Sequence, residues 1–195
     1  MPLVRLETAD LGLAAIDALD SDALAVFVGP ERPLQGLAGF VDWRVCGLLS
    51  RAIRDGSYAP DSGEVLLLPT GGRIRVPRLF CFGLPAPAAD AAAFAEQARR
   101  LCGAMYRARS ESWATALPPW AAGAEVPAAR LFVEALVPVA PRKLVVLGDA
   151  RALHRELVSA RETTGALELE VAPPVSRVEM PSRPASLPHS GAVLR

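Results

Sequence analysis

Ala23-Leu24-Ala25-Val26-Phe27-Val28 is an uninterrupted apolar run, bounded by Asp22 before it and Gly29-Pro30 after it. A strand without a polar face must be covered on both sides, as at the centre of a parallel sheet flanked by helices. A second such run, Lys143-Leu144-Val145-Val146-Leu147, ends in Gly148-Asp149. Around and between them, strand and helix patterns alternate. Leu3-Val4-Arg5-Leu6-Glu7 suggests a first strand, and Ala9 to Asp22 is a short, polar-punctuated connection. Residues 41–54 place Val41, Val45, Leu48, Leu49 and Ala52 on one helical stripe, with Asp42 in the first turn and Asp55-Gly56 as the stop. Glu64-Val65-Leu66-Leu67-Leu68-Pro69 and Arg78-Leu79-Phe80-Cys81-Phe82 read as strands, with Thr70-Gly71-Gly72 a turn and Arg73-Ile74-Arg75-Val76 a short alternating strand between them. Residues 88–107 form the longest helical pattern, with Phe94, Ala98, Leu101, Cys102 and Met105 on one face. A small strand near Trp113, helices over 126–136 and 150–161, and an edge strand over 167–171 complete the order. The helix over 126–136 offers Leu131, Val133 and Ala135 as core residues. This alternation predicts an α/β protein, a three-layer α/β/α sandwich on a mostly parallel mixed sheet.

Domain organisation follows from a change in composition. Residues 1–172 read as one α/β domain; from Pro173 onward Pro173, Pro174, Pro181, Pro184 and Pro188 punctuate a stretch of Ser, Arg and small residues, expected to be extended or flexible. The chain of 195 residues is 51% hydrophobic, enough for a core without staples. Its 21 basic and 21 acidic residues cancel, so no global field draws in nucleic acid or an anionic membrane. Cys46, Cys81 and Cys102 form no CxxC pair and sit in apolar patterns, as small buried hydrophobes do. The N-terminus lacks a secretory pattern and no apolar run approaches bilayer length, so a cytoplasmic protein is expected.

The helix with Asp42 and Gly47, and the strand closing on Phe82-Gly83-Leu84, resemble the N-terminal domain of the leucine aminopeptidase (M17) family. The resemblance implies a macro-domain-like fold. In that family this domain carries no catalytic residue, sits outside a hexamer core and supports assembly; in one bacterial branch it contributes to DNA binding. The Asp/Glu/Lys cluster of the family's catalytic half has no counterpart in this sequence. The expected role is a non-catalytic protein-interaction or assembly module that binds a protein partner or self-associates. A subunit of a split aminopeptidase is one alternative. A macro-like binding domain for ADP-ribose or a nucleotide is another.

On that last alternative, macro domains use an Asp just after the first strand and glycine-rich loops that hold phosphates through backbone N–H groups. Asp10 follows strand one, Gly36 and Gly39 precede a helix, and Gly148-Asp149 lies between a strand and a helix start. Asp10 could equally cap a following segment, and Gly148 could simply end a strand. For partner binding the candidates are Trp120 in its Pro-Pro loop and the Pro181–Pro184 PxxP pair; Trp43 could act like Trp120. Arg99, Arg100, Arg107 and Arg109, and Arg151, Arg155 and Arg161, are interleaved with acids and read as solvated faces rather than a nucleic-acid stripe. His154, read as a solvated helix residue, and His189 cannot anchor a metal site, and no nucleophile sits beside a base. No catalytic residue, metal or cofactor is expected.

Overall fold

A computed structural model of the chain describes residues 3–163 and 168–173. In chain order the elements are β1 (Leu3–Asp10), α1 (Leu13–Ala18), β2 (Ala23–Val28), α2 (Gly36–Arg44), α3 (Leu48–Arg54), β3 (Val65–Pro69), β4 (Arg78–Gly83), α4 (Ala91–Arg107), β5 (Ser112–Thr115), α5 (Ala128–Leu136), β6 (Lys143–Gly148), α6 (Ala150–Thr163) and β7 (Glu168–Val171). The strands form one sheet in the order β3-β4-β2-β5-β6-β1-β7. Only the β3–β4 pair is antiparallel; the rest are parallel. The α/β/α sandwich expected from the alternation is the fold observed, and it is macro-domain-like, as the resemblance to the aminopeptidase N-terminal domain implies.

Two apolar layers sandwich this sheet. Helices α4, α5 and α6 press Phe94, Leu101, Phe132 and Leu157 against Leu6, Phe82, Trp113 and Leu144. On the opposite face α1, α2 and α3 bring Ile16, Val41 and Leu49 onto Leu24, Val26 and Val145. β2 has both faces covered, which explains its unbroken apolarity. β1 instead buries Val4, Leu6 and Thr8 and leaves Arg5, Glu7 and Ala9 more open, because only the six-residue α1 follows on that side. The five residues assigned to one face of the longest helix are the five that α4 buries, and Asp90 caps it by accepting the Ala93 N–H at 2.8 Å. In α5 the side chain that fills the core is Phe132, missed in the sequence, while Leu131 is only half-buried.

The expected helix over 41–54 is two helices. Cys46 (φ 56) and Gly47 (φ 73) are left-handed, so α2 stops at Arg44 and α3 begins at Leu48. Asp42 consequently sits in the last turn of α2, not in a first turn. The expected strand at 73–76 is a loop: Ile74 and Val76 are buried and Arg73 and Arg75 exposed, but the Thr70 hydroxyl, donating to the Val76 carbonyl at 2.8 Å, takes the place of a ladder. Among the described residues no helix is long and apolar enough to cross a membrane.

Candidate functional site

β1 and β6 are adjacent and parallel, and their last residues, Asp10 and Gly148, are paired. Beyond that pair the chain diverges: β1 leads into α1 on one face of the sheet and β6 into α6 on the other. Such a reversal opens a crevice at the carboxyl ends of the strands, where open α/β sheets hold ligands. Two carboxylates meet the start of α6. Asp10 Oδ1 accepts the Ala150 N–H at 3.1 Å, and Asp149 Oδ1 accepts the Ala152 N–H at 2.9 Å. Both are exposed, and both favour the positive end of the helix. At Gly148 an added Cβ would lie 2.7 Å from Leu153 Cδ1, the end of a side chain that would have to shift.

From Asp10 a cavity of about 690 Å³ runs between α1 and the sheet. Ala9, Leu13, Leu19 and Val145 give it apolar walls, and Glu7 and Lys143 line it further down β1 and β6. Glu7 pairs with Lys143 at 3.1 Å and with Arg5 at 3.0 Å. The polar-punctuated connection expected over 9–22 contains this helix, α1. The spacing of Leu13, Ile16 and Leu19 was the available signal for a helix there, and the cavity is the space left between that helix and β1.

Gly36 and Gly39 do not precede a helix; they belong to the first turn of α2. Gly36 has φ +55 with open space around it, while an added Cβ on Gly39 would meet the Leu34 carbonyl oxygen at 2.4 Å. Gln35 provides no side-chain cap. This turn shares the carboxyl edge of the sheet with Asp10, but β5 and β6 lie between β2 and β1. At about 4.8 Å per strand spacing β2 and β1 themselves run roughly 14 Å apart. The structure therefore unites Asp10, Gly148 and Asp149, and keeps Gly36 and Gly39 separate from them.

Trp120 is partly packed and partly open. Its ring packs edge-on against Phe94, with centroids 5.7 Å apart, yet 41% of the residue stays exposed. The chain around it is pinned by the Ala88 N–H donating to the Pro119 carbonyl at 2.9 Å. Trp43 is 64% exposed, in the last turn of α2, with the Arg44 guanidinium 5.0 Å from its ring centroid. Pro181 and Pro184 lie outside the described residues. His154 is half-buried in α6 rather than solvated. Arg100 leaves the proposed solvated face, donating to the Gly83 carbonyl at 3.2 Å and to the Gly63 carbonyl. Among the described residues no group of three or more His, Cys, Asp or Glu side chains converges as a metal site would.

The sheet order, the paired layers and the crevice at β1 and β6 define a macrodomain-like α/β domain. Comparison with protein-family models and with curated proteins finds no match. Solved structures do match. The macro domain of ganglioside induced differentiation associated protein 2 aligns with a TM-score of 0.57 at 8% identity, over 79% of this chain and 83% of that one. The macrodomain of Thermus aquaticus DarG gives 0.51 at 15% identity, over 74% and 98%. A mutant of tomato leucine aminopeptidase gives 0.56 at 16% identity over 82% of this chain. This chain spans only 36% of the length of that enzyme, matching its N-terminal region. At these identities the likeness establishes the fold and leaves function to the site.

Proposed function

We propose that this domain binds a nucleotide-derived ligand of the ADP-ribose type, as a binding module rather than an enzyme, in the crevice where β1 and β6 end. One observation carries the reading: Asp10 and Gly148 are paired at a reversal of the chain, and the cavity of about 690 Å³ starts at Asp10. The Ala150 N–H engages Oδ1 of Asp10 and fixes the carboxylate, and Oδ2 remains to accept from a ribose hydroxyl or an exocyclic amine. The apolar walls take a ring, and a long ligand reaches the uncapped first turn of α2, where backbone N–H groups suit phosphate. The resemblance to macrodomains supports this reading.

Calorimetry with ADP-ribose, and with adenosine as the shorter probe, tests it. Asp10→Asn keeps an acceptor for the Ala150 N–H while removing the charge, so it should bind ADP-ribose at least about tenfold more weakly without losing stability. Absence of heat at millimolar ADP-ribose rejects the reading.

A second reading, the interaction or assembly module akin to the aminopeptidase N-terminal domain, is favoured by the exposed Val65 and Leu67 on edge strand β3. The split-aminopeptidase subunit is a version of it.

A further inference from the structure

The two edges of the sheet are built differently. β7 shows exposed Glu168 and Glu170, the kind of charge that keeps an edge from pairing with another chain. β3 shows Val65, Leu66, Leu67 and Leu68, with Val65 43% and Leu67 53% exposed. Its register also fixes which backbone groups are unspent. Gly83 donates to the Glu64 carbonyl and Thr70 to the Pro77 carbonyl, so positions 64, 66, 68 and 70 face β4. By alternation Val65 and Leu67 turn their N–H and C=O groups away from the sheet, and among the described residues nothing bonds them.

We infer that β3 is a dimerisation edge, pairing antiparallel with β3 of a second copy of this chain about a two-fold axis at Leu66. In that register Val65 of one copy faces Leu67 of the other, and each exchanges its outward N–H and C=O with its opposite. The two-fold repeats the same exchange on the other side of Leu66, so the patch is complementary to itself. Aliphatic side chains then meet on both faces: Val65 against Leu67 on the α4 side, and Leu66 against Leu66 on the other. Charge supports the antiparallel sense. Exposed Asp61 and Glu64 lie at the start of β3, and exposed Arg73 and Arg75 lie just past its end. Antiparallel pairing sets the acidic end of each copy beside the basic end of the other, whereas parallel pairing would stack like on like. This inference is independent of the ligand proposed above.

Sedimentation of the full chain from micromolar to millimolar concentration should show the mass rising from 20.6 kDa toward twice that value. Leu67→Lys places like charges near the axis and should weaken association at least about tenfold. Leu67→Pro removes an N–H that the β4 ladder does not use and should do the same while leaving the melting temperature in place. A full chain that stays at 20.6 kDa throughout overturns the inference. A dimer that neither substitution weakens also overturns it, by placing the contact elsewhere. A monomer in which Leu67→Lys lowers the melting temperature overturns it in favour of cover by residues 174–195.

Discussion

Asp42 and Leu49, seven residues apart, are joined across a helix break: Asp42 Oδ1 accepts the Leu49 N–H at 2.9 Å from the last turn of the preceding helix. It also accepts the Ser50 N–H at 3.2 Å. These are the second and third N–H groups of α3, which its own N-cap, Gly47, has no side chain to satisfy. Asp42 is buried, so its loss strands the buried Leu49 donor and leaves the part-buried Ser50 donor without this acceptor. Asp42→Ala should cost about 2 kcal/mol in urea unfolding, and Asp42→Asn clearly less, because the amide oxygen still accepts. Equal losses for the two would show that the side chain acts through packing alone.

Two glycines should respond to alanine with opposite signs. A Cβ on Gly83 would lie 2.4 Å from the Pro60 carbonyl oxygen and 2.6 Å from Pro60 Cα, backbone atoms that cannot step aside. Gly83→Ala should destabilise by roughly 2–3 kcal/mol. On Gly103, inside α4, the nearest atom would be the mobile Arg107 Nη1 at 3.4 Å. Gly103→Ala should therefore stabilise by roughly 0.5–1 kcal/mol through helix propensity and a less free unfolded chain. Chemical denaturation midpoints for the two variants should move in opposite directions.

Adjacent arginines on α4 should also differ. Arg99 makes an exposed pair with Glu96 at 2.9 Å, worth little in water. Arg100 holds the Gly83 and Gly63 carbonyls and lies 5.9 Å from the Phe82 ring centroid, tying α4 to the end of β4. Arg100→Ala should cost about 1–3 kcal/mol and Arg99→Ala under about 0.5. If thermal melts give the two variants the same loss, Arg100 does no anchoring.

Thiol chemistry and alkaline stability follow from burial. Cys46 is exposed, whereas burial pushes the Cys102 thiol from 9.0 up to about 12 and raises the Cys81 thiol and the Tyr58 phenol as well. Mass spectrometry after brief alkylation of the native protein should find label on Cys46 alone. Each raised group favours the folded state fully below its unfolded pKa. That contribution fades as pH climbs from about 9 toward 12, because the unfolded chain ionises first. The slope is up to about 1.4 kcal/mol per pH unit for each group. Urea midpoints that stay flat over this range would rule out buried, neutral thiols.

Much of the fold was legible because most segments carry a period that matches their environment. Phe94, Ala98, Leu101, Cys102 and Met105 declare the buried face of α4, and the unbroken apolarity of β2 declares a central strand. The same logic failed where burial and hydrogen bonding part company. Ile74 and Val76 alternate with arginines as a strand would, yet they serve a loop tied by Thr70. The stripe over 41–54 continues across a left-handed break at Cys46 and Gly47, so one pattern covers two helices. Of the candidate site, Asp10, Gly148 and Asp149 were readable because each stands at or just past the end of a strand; α1 and its cavity were not, since a six-residue helix gives under two turns of period.

Most of the order of strands and helices and the faces they bury came from the chain itself, because local periodicity records what each segment must hide. Tertiary structure decided which ends meet. Asp10 faces Gly148 only because β1 lies between β6 and β7, and β3 is an edge only because the sheet stops there. Neighbourhood in a sheet is set by long-range pairing, and no period along the chain records which distant strand will be the partner.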